Sequence, residues 1–79
     1  MKSVKIKLDT IDKVKEFAGI ATNYADDLDL VSGRYVIDAK SIMGIFSMNL
    51  SKALELVVHG ADDTQIEAFI NSVDRFLVK

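Results

Sequence analysis

The chain has 79 residues, a formal net charge of −2 and an apolar fraction of 49%, which favours a single domain over residues 1–79 with one hydrophobic core. It has no cysteine and one histidine, so we expect no disulfide, no thiolate chemistry and no transition-metal site. Its basic residues form no run and no apolar stretch approaches the roughly 20 residues of a membrane helix, so we expect a cytoplasmic protein that binds neither nucleic acid nor membrane.

Apolar and basic side chains alternate at the N-terminus, and a period of two is typical of a β-strand with one face in the core. The apolar positions are Val4, Ile6 and Leu8. The lysines Lys2, Lys5 and Lys7 are expected to lie together on the face that water contacts.

The period then changes to spacings of three and four, which indicate a helix with one apolar stripe. The stripe consists of Ile11, Val14, Phe17, Ala18 and Ala21. Asp9 or Thr10 is suitable as the N-cap, because either side chain can accept a hydrogen bond from an amide of the first turn.

The middle of the chain predicts two strands and a hairpin. Leu28 and Leu30 alternate with polar residues, and Tyr35 to Ile37 are rich in residues that favour strands. Between them Ser32-Gly33 is a suitable turn pair, since glycine tolerates a positive φ.

The second half of the chain predicts a short helix, a strand and a longer helix. Ser41 lies where the N-cap of the short helix belongs. The segment from Leu54 to Val58 is more continuously apolar than the first strand, which favours a strand inside the sheet. Asp62 and Gln65 have the spacing of a capping box. The last helix has an apolar stripe formed by Ile66, Phe69, Ile70, Val73 and Leu77. Together these elements predict two layers, with helices on one face of a sheet and the other face open to water.

The run Lys40-Ser41-Ile42-Met43-Gly44 resembles the HPr phosphocarrier family, in which a Lys-Ser-Ile-Met-Gly segment opens the short second helix and carries a regulatory serine. The chain length, the order of elements and the hairpin glycine Gly33 agree with that family over the whole chain. The resemblance implies an α+β, open-faced sandwich of order β-α-β-β-α-β-α, with a four-stranded antiparallel sheet covered on one face by three helices.

The chain departs from the family at the start of the first helix. HPr proteins have there a Gly-x-His-x-Arg-Pro motif whose histidine carries the phosphoryl group. Here Thr10 falls at the histidine position, or Asp9 if the register shifts by one, while Asp12 replaces the arginine and Lys13 the proline. A threonine hydroxyl lacks the nucleophilicity of a neutral imidazole, and Asp12 would repel a phosphate.

The resemblance implies a regulatory phosphorylation site at Ser41 and a docking surface for partner proteins around it. The corresponding docking residues are Lys40, Ile42, Met43, Phe46 and Met48. Lys40 and Arg34 are candidates to assist a phosphate on Ser41. His59, the sole histidine, lies after the fourth strand and is more simply read as a polar residue at a strand end than as a phosphoryl carrier.

We therefore expect a non-enzymatic regulatory or adaptor homologue without cofactor, a monomer switched by phosphorylation of Ser41. Its expected partners are an HPr-kinase-like enzyme and a transcription regulator or a component of the sugar phosphotransferase system. Two alternatives remain: a phosphocarrier with an unexpected acceptor residue, and a plain interaction module that has lost both switches.

Overall fold

The structure, a computed structural model, describes residues 1–78, and their elements follow the predicted order. The strands are β1 (Lys2–Ile6), β2 (Leu28–Ser32), β3 (Tyr35–Asp38) and β4 (Leu54–Val58). The helices are α1 (Ile11–Ala21), α2 (Ile42–Phe46) and α3 (Asp63–Ser72), and a 3₁₀ turn over Asp74–Phe76 follows α3.

The four strands form one antiparallel sheet in the order β1-β4-β2-β3. β4 therefore lies inside the sheet, as predicted from a sequence that is more continuously apolar than that of β1. Ile6, Leu56 and Leu30 lie on the face that the helices cover and are fully buried, whereas their strand neighbours Lys5 and Glu55 are exposed on the other face. The α+β open-faced sandwich expected from the sequence is confirmed.

The hairpin between β2 and β3 turns one residue later than predicted. Ser32 pairs with Tyr35, so the two loop residues are Gly33 and Arg34. Gly33 has a φ of +59°, which is the left-handed conformation that glycine adopts without the steric cost of a Cβ.

The core lies between the sheet and the helices, and every buried residue among the described ones is apolar, or aromatic in the case of Tyr24. From α1 it receives Val14, Phe17, Ala18 and Ala21, as the stripe predicted. Ile11, the first member of that stripe, is instead 62% exposed. It belongs to the first turn of the helix, where no strand or neighbouring helix has to cover it.

The C-terminal end of α3 differs from the prediction. The helix ends at Ser72, and Leu77 does not continue its stripe but forms an isolated bridge with Ile6 of β1. The Lys7 amide donates to the Phe76 carbonyl at 2.9 Å, and the Val78 amide donates to the Lys5 carbonyl at 2.9 Å. Residues 76–78, called here the terminal strap, thus pair with the outer edge of β1.

The prediction that Lys2 shares a face with Lys5 and Lys7 is wrong. In a strand, residues an odd number of positions apart lie on opposite faces, so Lys2 lies on the helix-covered side. Its ammonium group is 2.6 Å from a carboxylate oxygen of Glu67 in α3.

The helix starts are capped by the predicted residues. The Thr10 hydroxyl accepts from the Lys13 amide at 3.1 Å, and the Asp62 carboxylate accepts from the Thr64 amide at 2.9 Å rather than from the Gln65 amide of a capping box. Within residues 1–78 no helix is long and apolar enough to cross a membrane.

Candidate phosphorylation and docking site

The segment before α2 is fixed to the start of β2 and the end of β3 by backbone hydrogen bonds. The Ala39 amide donates to the Leu28 carbonyl at 2.8 Å, and the Ser41 amide donates to the Asp38 carbonyl at 3.0 Å. Since Ala39 is fully buried, it anchors the turn that presents Lys40 and Ser41 at the start of the helix.

Ser41 is the N-cap of α2 and is exposed to solvent. It has an extended backbone (φ −92°, ψ 106°), and its hydroxyl oxygen accepts from the Gly44 amide at 3.1 Å. A Cβ on Gly44 would lie 3.3 Å from that oxygen and 3.3 Å from a methyl of Ile37. The absence of a side chain at Gly44 therefore lets the cap approach closely while the hydroxyl stays accessible.

Lys40 directly precedes Ser41 in sequence and carries a positive charge. Its ammonium group donates to the Tyr24 carbonyl at 2.7 Å, and its amide donates to the Asp38 carboxylate at 2.9 Å. Because the ammonium group binds a neutral carbonyl oxygen, its charge is not neutralised by a carboxylate. Arg34 lies in the hairpin turn at the other end of β3, so the suggestion that it assists Ser41 is wrong.

Helix α2 buries one residue and exposes its other large apolar side chains. Ile45 is fully buried and holds the helix against the core, whereas Met43 is 78% exposed. Ile42 and Phe46 are 37% and 42% exposed. We call Ile42, Met43 and Phe46 the α2 patch. Met48, also expected to dock partners, is half-buried against the core.

The start of α1 contains the residues that replace the phosphocarrier motif. Thr10 is exposed and caps the helix, and the Lys13 ammonium group lies 2.9 Å from the Asp9 carboxylate. The hydrogen bond from Lys13 holds the pKa of Asp9 below its ordinary value. A phosphate at Thr10 would meet the carboxylates of Asp9 and Asp12, and the nearest lysine on the helix is already paired.

Thr10 and Ser41 lie at opposite ends of the sheet. Thr10 follows β1, whose last residue Ile6 pairs with Leu54 at the start of β4. Ser41 follows β3, whose last residue Asp38 pairs with Asp29, and Asp29 pairs with Val57 near the end of β4. The two family positions therefore follow opposite ends of the strands.

His59 lies at the Ser41 end of the sheet, far from the start of α1. Its Nε2 is 2.8 Å from an Asp29 carboxylate oxygen, and its carbonyl accepts from the Tyr24 hydroxyl at 2.5 Å. Burial is the main cause that raises the pKa of Tyr24 above its ordinary value, and the carboxylates of Asp26 and Asp62 add to it. Among the described residues, no three carboxylate or imidazole groups gather into a metal-binding cluster.

The sequence analysis missed two residues that organise this surface. Ile45 anchors α2, and its position four residues after the Ser41 cap was the signal for it. Tyr24 links α1 to both Lys40 and His59. It lies three residues after Ala21, so it continues the apolar spacing of the helix beyond its end.

Comparisons with known proteins agree with this architecture at the level of structure. No family model and no curated protein matches the chain. Solved structures of small open-faced α+β sandwiches do match, which defines the class of fold. One is HPr-C-His from Thermoanaerobacter tengcongensis, with a TM-score of 0.74 and 23% identity over 94% of this chain and 92% of that one.

A second match is a phosphocarrier protein HPr from Bacillus anthracis str. Ames, with a TM-score of 0.64 and 25% identity over 86% of this chain and 88% of that one. The chain therefore has the HPr fold, and the resemblance predicted from residues 40–44 is confirmed over most of its length.

Proposed function

We propose that this protein is a non-enzymatic regulatory or adaptor relative of HPr that is switched by phosphorylation of Ser41 and does not carry phosphoryl groups. The observation that carries the proposal is the position of Ser41. Ser41 is exposed at the start of α2, directly after the positively charged Lys40 in sequence and directly before the α2 patch.

Phosphorylation at this position would change the docking surface by charge. A phosphoserine adds about −2 at neutral pH, which would roughly double the net charge of −2 that the chain already has. Lys40 is adjacent in sequence, and its ammonium group would pair with the phosphate by giving up its hydrogen bond to the Tyr24 carbonyl. The exposed Met43 beside it is a flexible, polarizable side chain that suits an adaptable protein interface.

The start of α1 supports the proposal that the protein does not carry phosphoryl groups. Neither Thr10 nor Asp9 offers an imidazole, and a threonine phosphate is a poor phosphoryl donor. The proposed partners are a kinase of the HPr-kinase type and a transcription regulator or phosphotransferase-system component in the cytoplasm, with no cofactor.

The first experiment tests phosphorylation. The protein is incubated with an HPr kinase and ATP, and the phosphate is located by mass spectrometry of peptides. We expect one phosphate on Ser41, none on Ser41→Ala, and normal modification of Ser47→Ala, the matched control at the other end of the same helix. An unmodified wild-type chain, or equal modification of Ser41→Ala, would contradict the proposal.

The second experiment tests the rival function of phosphocarrier, which the likeness to the Bacillus anthracis carrier favours. The protein is incubated with enzyme I and phosphoenolpyruvate, and acid-labile phosphate is measured. We expect none. Acid-labile phosphate that disappears in His59→Gln would identify His59 as the acceptor and establish the rival.

A third measurement separates a switched adaptor from a plain interaction module. Partner binding is compared for the wild type, Ser41→Ala and Ser41→Asp. A switched adaptor requires the Asp variant to differ from the other two, whereas equal binding by all three supports the module without a switch.

A further inference from the structure

The sheet has two outer strands, and only one of them is partly covered. The terminal strap pairs with the second half of β1 through the Ile6–Leu77 bridge and its flanking hydrogen bonds. No described strand pairs with the outer edge of β3. β3 is short, with four residues and one terminal charge, but it has neither proline nor lysine and its register with β2 is unbroken, so it lacks the bulge and the proline or lysine that protect many edges from pairing.

The hairpin fixes which backbone groups of β3 point outward. Antiparallel pairs alternate between hydrogen-bonded and non-hydrogen-bonded. The Ala39 amide donates to the Leu28 carbonyl, and hydrogen-bonded pairs recur at every second residue of the strand. The pairs of Ile37 with Leu30 and of Tyr35 with Ser32 are therefore hydrogen-bonded. The amide and carbonyl of Val36, and the amide of Asp38, therefore face away from the sheet.

The side chains at these outward positions form a self-complementary series. In an antiparallel pair of two β3 strands centred on Val36, each Val36 lies opposite its copy and Arg34 lies opposite Asp38 of the other chain. Val36 is 62% exposed, and Arg34 and Asp38 are also exposed. Opposite charges at facing positions stabilise such a pair.

We propose that two copies of this chain associate through their β3 edges, antiparallel and with the two-fold axis at Val36, to give one continuous sheet of eight strands. The outward backbone groups supply two hydrogen bonds between the Val36 residues and one from each Asp38 amide to the Arg34 carbonyl of the other copy. Both ends of the pair then hold an Arg34–Asp38 ion pair.

The Asp38 carboxylate can accept from the Lys40 amide of its own chain and pair with Arg34 of the other copy at the same time. One oxygen accepts from the Lys40 amide at 2.9 Å, which leaves the other oxygen for the guanidinium group of the second copy. A shared edge of four residues is small beside the ~1,200 Å² buried by stable complexes. The dimer is accordingly weak and forms at high protein concentration, in place of the monomer expected from the sequence.

The test uses two charge variants that repel themselves and attract each other. Arg34→Asp gives an edge with two acidic positions, and Asp38→Arg gives an edge with two basic ones. Sedimentation velocity is measured from micromolar to millimolar concentration for the wild type, each variant and their equimolar mixture. We expect the dissociation constant to rise by about tenfold in each variant alone and to recover in the mixture.

Ser3→Lys, which adds a charge on the same open face but on β1, is the control and should associate like the wild type. Circular dichroism checks that each variant is folded. If Asp38→Arg does not fold, the concentration dependence of the Val36 and Asp38 amide shifts in the wild type decides the question. A wild type that stays monomeric at millimolar concentration, or a dimer unchanged by both variants, overturns the proposal.

Discussion

Replacing Ser41 with alanine removes the side-chain hydrogen bond that caps the start of α2. The lost bond is the 3.1 Å contact from the Gly44 amide to the serine hydroxyl. Because Ser41 is exposed, water can reach the freed amide, and the penalty of an unsatisfied buried donor does not apply. We therefore expect the free energy of unfolding to fall by about 1 kcal/mol, the ordinary value of a serine N-cap.

The magnitude matters because Ser41→Ala is also the natural control for phosphorylation. For a domain of this size a loss of 1 kcal/mol lowers Tm by about 4–8 °C. Ser41→Asp keeps an acceptor at the cap and adds a negative charge at the helix start, so its unfolding free energy should stay within about 0.5 kcal/mol of the wild type.

Urea and thermal unfolding followed by circular dichroism measure both variants, with Ser3→Ala on exposed β1 as the control. A Ser41→Ala variant as stable as the wild type would refute the capping argument. So would a Ser41→Asp variant that loses as much stability as Ser41→Ala.

Two further predictions concern positions away from α2. Gly60 has a φ of +150°, and a Cβ there would lie 2.8 Å from the Tyr24 hydroxyl, so Gly60→Ala should cost about 1–3 kcal/mol of unfolding free energy. Gly19→Ala, in open space on α1, should instead raise the free energy of unfolding by about 0.5–1 kcal/mol. A urea midpoint of Gly19→Ala below that of Gly60→Ala would contradict this account. The depressed pKa of Asp9 depends first on Lys13, so the pair stabilises the fold above the unfolded pKa of the carboxyl and loses this effect as pH falls through the folded pKa. In Lys13→Gln the Asp9 pKa measured by NMR should rise, and an unchanged value would show that Lys13 is not the cause.

The order of elements and the caps were predictable because they depend on local spacing. Alternation identified β1 and β2, local composition identified β3 and β4, and the Ser41 cap depends only on a residue three positions away. Leu77 was assigned to α3 because it lies four residues after Val73. Yet the helix ends at Ser72, whose hydroxyl donates to the Phe69 carbonyl at 2.5 Å, and Leu77 then pairs with a strand from the other end of the chain.

The candidate site shows the same division between local and distant contacts. The exposure of part of α2 follows from its length, since a helix of two turns can bury only one face. The bond from Lys40 to Tyr24 joins residues on different elements, and no periodic pattern in the sequence encodes it. Arg34 was placed near Ser41 by proximity in sequence, but an extended strand separates them in space.

The position of β1 beside β4 has a consequence for the order in which the molecule assembles. The β2–β3 hairpin closes over a two-residue loop, whereas β1 pairs with β4 across a long separation in sequence, as in the pair of Lys5 with Glu55. Bringing distant segments together costs more chain entropy and slows folding. We expect β1 and the terminal strap to dock after the folding transition state, so that Ile6→Val accelerates unfolding in stopped-flow experiments and leaves the refolding rate nearly unchanged.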